Sequence, residues 1–269
     1  MPPRFVEFAE DLRSWWGDAK IDCPLHGSAV PSKVIIRPQA GSLLFITQPD
    51  HAALAADLVA HFDGFASSPR RQAIHLAVRE HDAGWHDPDD TLVFEDATGK
   101  ALDFVGVPES LKQSVWPVAI DRIADRAPYA AALIAEHASF VYSANREKPA
   151  WHAFFAALED RRAALLHRCD ETLATLQADY PLLGIADLVS LSFCHGWTEP
   201  KERFGRSIRC AGAAVEIAPS LLPAAPIAAR VRARRVPDQR YASAAALRDA
   251  LASATPEFLT GVARGGPLA

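Results

Sequence analysis

Histidine and aspartate residues recur on the apolar faces of four predicted helices of this chain. His51, for example, precedes Leu54 and Leu58 by three and seven residues, which places all three on one helical stripe. The same reasoning points four further side chains inward: His81, Asp82, His137 and Asp187. A buried carboxylate without a partner is costly, so two inward aspartates need a positive counterpart. A divalent metal ion shared with the histidines would be one.

A single histidine on an apolar face is ordinarily a hydrogen-bonded core residue, because neutral imidazole tolerates burial. Recurrence on four helices favours a common site instead. Nitrogen and oxygen donors without cysteine suit iron, manganese, zinc, cobalt or nickel, and they argue against a closed structural zinc site. We therefore expect one or two divalent transition-metal ions per chain. Such an ion lowers the pKa of bound water so that hydroxide is available near neutral pH, which makes hydrolysis the default reaction.

The elements that must position these residues are mostly helical. A β-hairpin is predicted from Val34–Arg37 and Ser42–Thr47, separated by turn residues. Helices are predicted over 49–62, 70–85, 111–125, 128–141, 149–178, 183–197 and 243–252, and short strands over 213–218 and 227–236. The predicted fold class is therefore mainly α, with a small hairpin near the N-terminus and a minor C-terminal β element.

Three regions are expected along the chain. Residues 1–33 read as an N-terminal extension, residues 34–255 as one domain and residues 256–269 as a frayed tail. In the extension, apolar residues at helical spacing indicate one amphipathic helix.

Composition excludes several classes of function. The 269 residues are 49% hydrophobic and 23% charged, which is typical of a folded protein and not of a disordered one. A net charge of −5 argues against broad attraction to nucleic acid or anionic lipid, so a small-molecule substrate is expected. The four cysteines form no C-x-x-C pair, and no apolar run reaches the length of a membrane span, which favours a reducing cytoplasm. The oligomeric state is left open.

Four segments carry a resemblance to a known family: Gln48-Pro-Asp-His-Ala-Ala-Leu54, Glu80-His-Asp-Ala-Gly-Trp85, Glu136-His137 and Asp187-Leu-Val-Ser-Leu191. Over residues 34–255 the chain resembles a bacterial family catalogued as domain of unknown function 3891. The order of a histidine, an adjacent His-Asp pair and a distant aspartate also resembles the HD superfamily of metal-dependent phosphohydrolases. That second resemblance implies an HD-like helical core.

The HD resemblance implies roles for individual residues. His51, His81, Asp82 and Asp187 match the four metal ligands of that superfamily, and Asp82 could bridge two ions. His137 matches a ligand of the second ion. Binuclear members have a further histidine in this stretch, and here the choice between His152 and His167 is open.

Two more histidines are candidates for chemistry at this centre. His195, two turns beyond Asp187, is an alternative ligand or a base. His86 follows the His-Asp pair in a polar loop and is the best candidate for an acid or base there. Trp85 and Trp197 could wall the pocket or belong to the core.

The first functional expectation is hydrolysis of a phosphoester or phosphoanhydride by hydroxide generated at the metal. Arg230, Arg232 and Arg234 alternate along a predicted strand, where they could bind phosphate or keep an edge strand soluble. The alternatives are a diiron oxygenase acting on a small organic substrate, as in some HD proteins, and a non-catalytic metal-binding or sensor module. Whether the chain is an enzyme is therefore itself undecided at the level of sequence.

Overall fold

The computed structural model describes residues 34–85 and 93–267. The helices in these two segments are α1 (Gln48–Val59), α2 (Arg71–Glu80), α3 (Glu109–Ala124), α4 (Pro128–Val141), α5 (Pro149–Arg168), α6 (Leu173–His195) and α7 (Ala244–Ser253). The strands are β1 (Val34–Gln39), β2 (Ser42–Thr47), β3 (Val93–Glu95), β4 (Lys100–Leu102), β5 (Lys201–Arg203), β6 (Arg206–Ala211), β7 (Ala214–Ala218), β8 (Ile227–Pro237) and β9 (Pro256–Gly265). Short 3-10 turns cover Ala83–Trp85, Phe104–Gly106 and Ser143–Asn145.

Seven of these strands form one sheet in the order β1-β2-β8-β9-β7-β6-β5. Neighbouring strands are antiparallel except for β7 and β9, which run parallel. The sheet curls into a half-barrel. β3 and β4 pair separately as a small two-stranded ribbon.

The helices cover the sheet in layers. α1 and α6 pack against each other and against the sheet, and α2 and α4 pack onto that pair from the other side. One hydrophobic cluster runs from the sheet through α1 and α6 into α4, whose residues 130–135 have no exposed surface. Side chains on α1, α4 and α6 therefore meet in the interior of the helical layer.

Local sequence signals explain where the two central helices begin and end. The Thr47 hydroxyl accepts the amide N–H of Asp50, and Pro49 occupies the first turn, so α1 begins as a capped helix. α6 begins with a Thr172 cap and ends at Gly196, whose φ of 73° lies in the left-handed region that glycine adopts readily. The predicted hairpin and the helices around α1, α3, α4 and α7 are confirmed to within a few residues.

The mainly α fold class with a minor β part is wrong. About 50% of the described residues are helical and 23% are in strands, and the large sheet is not the architecture of an HD-like helical core. The missed strands are weakly patterned. β9, for example, contains Pro256, Gly261 and Gly265, residues that ordinarily argue against a strand interior. Its stability comes from pairing with β7 on one side and β8 on the other.

Three further differences concern element boundaries. The frayed tail predicted to begin at residue 256 is wrong, since Pro256–Gly265 is an inner strand of the sheet. The single helix predicted over 149–178 is two helices, because the chain turns at Asp170, whose φ is 55°, and Thr172 caps a new helix. The helix predicted to reach Trp85 ends at Glu80.

The arginine-bearing strand β8 is not an edge strand, because it lies between β2 and β9. Within the described residues, no helix combines the length and the apolar character needed to cross a membrane. The cytoplasmic location stays a prediction. The predicted extension over residues 1–33 and the candidate His86 lie outside the described residues.

Candidate metal centre

Four elements bring the predicted inward residues together. α1 carries His51 in its second turn, the end of α2 carries His81 and Asp82, α4 carries His137, and α6 carries Asp187. Their side chains are all buried, with His51 fully enclosed. Because α1, α2, α4 and α6 pack on one another, the five side chains converge at one point of the helical layer.

The end of α2 explains how two adjacent residues can face the same point. Regular helix stops at Glu80, and the His81 Nδ1–H donates to the carbonyl of Val78 as the chain tightens into the turn Ala83–Trp85. At this turn the Asp82 carboxylate lies beside the His81 ring, with Asp82 Oδ2 3.3 Å from His81 Nε2. Gly84 permits the turn to approach α3, because a Cβ there would overlap the carbonyl oxygen of Val115.

The distances among these side chains are those of a ligand set. His51 Nε2 lies 2.8 Å from Asp82 Oδ2 and 3.8 Å from Asp187 Oδ1, and His81 Nε2 lies 3.3 and 3.6 Å from the same two oxygens. Donor atoms bound about 2.1 Å from one ion are at most about 4.2 Å apart. A buried group of His51, His81 and Asp187, with ligand atoms within 4.8 Å of one another, could therefore hold a metal ion.

His137 belongs to the same centre and lies near the second carboxylate oxygen of Asp187. Its Nε2 lies 3.7 Å from Asp187 Oδ2, and its ring packs edge-on against His81 with centroids 5.1 Å apart. Asp187 therefore presents Oδ1 to His51 and His81 and Oδ2 to His137. The number of ions that this arrangement would hold is not shown.

Hydrogen bonds behind the centre fix which nitrogen each histidine presents. The Ser190 hydroxyl donates to the carbonyl of Asp187, so it accepts from His51 Nδ1–H, 2.7 Å away. A carbonyl oxygen can only accept, so His81 Nδ1 also carries its hydrogen. In both rings Nε2 is thereby the nitrogen that faces the carboxylates, and it is the nitrogen left to bind a metal ion.

The electrostatics of the cluster show a shortage of positive charge. Burial by itself would lower the pKa of His81, but Asp82 and Asp187 raise it well above its ordinary value. Burial would likewise raise the pKa of both carboxyls, yet the neighbouring histidines hold each below its usual range. Two buried carboxylates thus retain a proton on His81 as their counter-charge. Burial lowers the pKa of His137 to about 3, so this ring is neutral at neutral pH.

The residues present fit a divalent metal ion. The His81 Nε2 atom is buried and has no hydrogen-bond partner among the described residues, although it is aimed at the carboxylates of Asp82 and Asp187. A divalent ion would take the place of the His81 proton and neutralise both carboxylates. The donor set of imidazole nitrogen and carboxylate oxygen suits first-row transition metals.

A pocket opens next to this centre. Its walls are largely apolar: Trp85, Phe104, Val105, Trp116, Val141, Tyr142, Leu191 and Trp197. Asp82, His137 and Asp187 form part of its floor, together with the side chain of Gln48. The volume is about 60 Å³, several times the space that one water molecule requires. Trp85 and Trp197, which could have been core residues or pocket walls, both line the pocket.

A family model described as Protein of unknown function (DUF3891) matches residues 34–238 of the chain. The chain belongs to this family. The match spans every residue of the cluster and the pocket, from Gln48 to Trp197, so these residues belong to the region that defines the family. None of the curated proteins and none of the solved structures matches the chain. The resemblance to the HD superfamily is not confirmed by these comparisons.

His195 lies apart from the five clustered side chains. Its ring stacks on Trp197 with centroids 4.4 Å apart, and its Nδ1 lies 3.8 Å from Asp103 Oδ2. Burial, with smaller effects from His51 and Arg37, lowers the pKa of His195 to about 3. The ring is therefore neutral at neutral pH and supports a pocket wall through Trp197. His152 and His167, the alternatives for a second-ion histidine, are exposed on α5.

Two polar residues of the site carried no recognisable signal. Tyr180 places its hydroxyl 3.0 Å from His137 Nδ1, and Gln48 lines the pocket although it is almost fully buried. Tyr180 is one of two aromatic residues, with Phe193, on an apolar helix. Gln48 stands in the Gln-Pro-Asp-His segment that carries the family resemblance, but its type alone indicates no chemistry. Only the approach of α1, α4 and α6 shows what these two side chains face.

Proposed function

We propose that this protein is a metal-dependent hydrolase whose metal ion is held by His51, His81, Asp82 and Asp187. The observation that carries the proposal is the convergence of these four side chains from α1, α2 and α6, with a buried His81 Nε2 that lacks a hydrogen-bond partner. The order of the ligands along the chain resembles that of HD phosphohydrolases, and this resemblance supports the proposal independently of the fold.

The chain's own residues have distinct tasks in this reaction. His51 and His81 bind through Nε2, since Ser190 and the Val78 carbonyl hold their Nδ1–H groups. Asp187 turns its second oxygen to His137, which can bind a second ion or accept a hydrogen bond from the substrate. The apolar walls exclude bulk water, which strengthens the electrostatic interactions inside.

When bound, the ion supplies an acidic water molecule and a positive charge next to the scissile bond. Asp82 lies in the pocket floor beside His51 and can hold a proton-bearing group of the attacking molecule in place. His137, neutral at neutral pH, lies in the same floor, where a neutral imidazole nitrogen can donate or accept one hydrogen bond according to its tautomer. The donor that protonates the leaving group is not assigned to a residue.

The first experiment is elemental analysis of full-length protein purified without an affinity tag or added metal. One transition-metal ion per chain, lost in Asp187→Ala, would support the four-ligand site, and two ions would include His137 as a ligand. The loaded protein is then assayed against aryl phosphates and aryl carboxylic esters. A chain that takes up no metal, even after soaking, would overturn the proposal.

An oxygenase is the second candidate, and the apolar pocket favours it. A wall of aromatic and aliphatic residues suits a small organic substrate, and nitrogen and oxygen ligands suit iron. Turnover that continues under strict exclusion of oxygen supports hydrolysis. Iron content together with substrate-dependent oxygen consumption supports the oxygenase instead.

A further inference from the structure

The composition of the pocket wall restricts what the site can take. Eight of the residues that line it are aromatic or aliphatic, and its polar floor is Gln48, Asp82, His137 and Asp187. Among the lining residues that the structure describes, none is lysine or arginine. The charged protein groups at the floor are thus two carboxylates, which a bound divalent ion would neutralise.

Phosphate groups are ordinarily bound by arginine, lysine or the free amides of a helix N-terminus. Two of the three β8 arginines that could have served this purpose are engaged elsewhere. Arg234 donates to the carbonyls of Leu251 and Ala254 at the end of α7, and Arg230 stacks on the ring of Phe258. The N-terminus of α1, close to Gln48, is capped by Thr47 and already has an acidic residue, Asp50, in its first turn.

Within the described residues of the pocket floor, Gln48 is the one uncharged polar residue other than His137. The residue is 1% exposed and is one of those that line the pocket, and its Oε1 atom has no hydrogen-bond partner in the described part of the chain. An unsatisfied buried acceptor destabilises the folded protein, because it has lost its hydrogen bonds to water. A ligand that places an N–H or O–H group against this oxygen would remove this destabilisation.

We propose that the substrate is a small, uncharged molecule with an aromatic or alicyclic body, a hydrogen-bond donor that faces Gln48 and a carboxylic ester or amide bond at the metal. This inference rests on the proposed hydrolase function. In the reaction, the oxygen of water forms a bond to the carbonyl carbon and the bond to the leaving oxygen or nitrogen breaks. One proton of the water ends on the leaving group, so that an acid and an alcohol or amine are released.

The test uses a pair of ligands that cannot be hydrolysed and differ in charge. 4-Hydroxyacetophenone carries a neutral carbonyl group, and 4-hydroxyphenylphosphonate carries an anionic phosphonate on the same ring. Titration calorimetry of the full chain, loaded with the metal that elemental analysis identifies, should show at least tenfold tighter binding of the ketone. Equal or tighter binding of the phosphonate, or no binding of the ketone, would overturn the inference.

A second comparison isolates Gln48. In Gln48→Leu, the affinity for 4-hydroxyacetophenone should fall to that for acetophenone, which lacks the donor, while acetophenone itself binds as before. The matched control is Gln72→Leu, at an exposed position of α2, and it should leave both affinities unchanged. If Gln48→Leu still binds 4-hydroxyacetophenone more tightly than acetophenone by the same factor as the wild type, Gln48 does not contact the donor of the ligand.

Failure of the hydrolase proposal and failure of this inference give different results. The same titrations on metal-free protein measure the pocket without the metal. If the protein binds no metal but still prefers the ketone to the phosphonate, the hydrolase proposal is wrong and the proposed class of ligand stands. A metal-loaded protein that prefers the phosphonate, or that hydrolyses phenyl phosphate faster than phenyl acetate, would retain the hydrolase and overturn the ligand class.

Discussion

His51 Nε2 lies 2.8 Å from Asp82 Oδ2, although the two residues are 31 positions apart in the chain. The contact joins the second turn of α1 to the end of α2, and Asp187 of α6 lies within 3.8 Å of the same nitrogen. The centre therefore depends on the relative position of three helices. A change in any of them is expected to act on metal binding before it acts on the rest of the fold.

Asp82→Ala should abolish metal binding, because it removes the oxygen that lies between both histidines. Elemental analysis should fall from the wild-type stoichiometry to near zero. The metal ion binds the folded state, so it raises the free energy of unfolding by about 2.7 kcal/mol when present at 100 times its Kd. A chelator should remove this stabilisation from the wild-type protein. The variant should show no such chelator effect.

The control for Asp82→Ala is Asp57→Ala, an exposed aspartate on α1. It should bind metal as the wild type does and lose the same stability to chelator. Full metal content in Asp82→Ala would show that the ligand set is wrong.

Ser190→Ala should weaken metal binding without preventing folding. The substitution leaves His51 Nδ1–H unpaired and frees the ring to rotate, and losses of partners behind a ligand typically cost about tenfold to a hundredfold in metal affinity. Competition with a coloured chelator measures the change. Ser192→Ala is the matched control on the same helix, because the buried Ser192 hydroxyl has no hydrogen-bond partner among the described residues. Equal affinities in the two variants would exclude the positioning role of Ser190.

Gly84→Ala should weaken the metal centre although Gly84 is not one of the proposed ligands. A Cβ at residue 84 would overlap the Val115 carbonyl of α3, so the turn that follows Asp82 must move. We expect a loss of about 1–3 kcal/mol in the free energy of unfolding, measured with urea, and weaker metal binding. In Gly106→Ala the new Cβ would lie 3.7 Å from Leu102, an ordinary contact, so this control should change both quantities little.

The burial of His195 predicts a pH dependence of stability. Its pKa is about 3 in the folded protein and 6.5 in an exposed chain, so the unfolded state binds more protons between these values. Stability contributed by the neutral ring is present above pH 6.5 and is lost as the pH falls, at up to about 1.4 kcal/mol per pH unit. His195→Phe keeps a ring against Trp197 but cannot take up a proton. Its free energy of unfolding should therefore fall less steeply with decreasing pH than that of the wild type.

Urea unfolding between pH 7 and 4.5, in the presence of a metal chelator, measures how the free energy of unfolding of His195→Phe changes with pH. Chelator removes the separate effect of protons that compete with metal. His152→Phe serves as the control, because that side chain is exposed, and it should retain the wild-type slope. An unchanged slope in His195→Phe would show that the ring is solvated in the native state.

Val105→Arg should move ligand preference towards anions. Val105 lines the pocket and is 36% exposed, so an arginine there can be tolerated and can reach a bound phosphonate. An exposed ion pair should improve the affinity for 4-hydroxyphenylphosphonate by about twofold to fivefold. Val118→Arg, at a position of α3 that is 55% exposed and outside the pocket wall, should have no effect. Identical affinities in both variants would show that the phosphonate does not bind in this pocket.

Helical periodicity correctly predicted that His51, His81, His137 and Asp187 are buried. Such a prediction is possible because the face of a helix on which a residue lies depends only on its neighbours within a few turns. The Thr47-Pro49-Asp50 start of α1 was visible for the same reason, since a helix cap is a local structure. Neither signal needs knowledge of what the helix packs against.

The strands behaved differently. The alternating residues of β8 predict a strand, but they do not predict its place between β2 and β9, and the sequence of β9 predicts a tail. Pro256, Gly261 and Gly265 give β9 a poor strand pattern, and its hydrogen bonds are made to β7 and β8. Pairing energy between distant segments is not encoded in either segment alone, so the sequence led to a mainly α fold that is wrong.

By itself, the sequence determined that several histidines and aspartates face inward and which residue types could hold a metal ion. Only the tertiary structure decided their distances, the turn that brings Asp82 beside His81, and the partners Ser190 and Tyr180 that orient the rings. It also decided that the pocket wall is apolar and that His195 supports Trp197. The physical reason is that the inward face of each helix follows from local periodicity, whereas the meeting of α1, α2, α4 and α6 follows from packing between segments far apart in the chain.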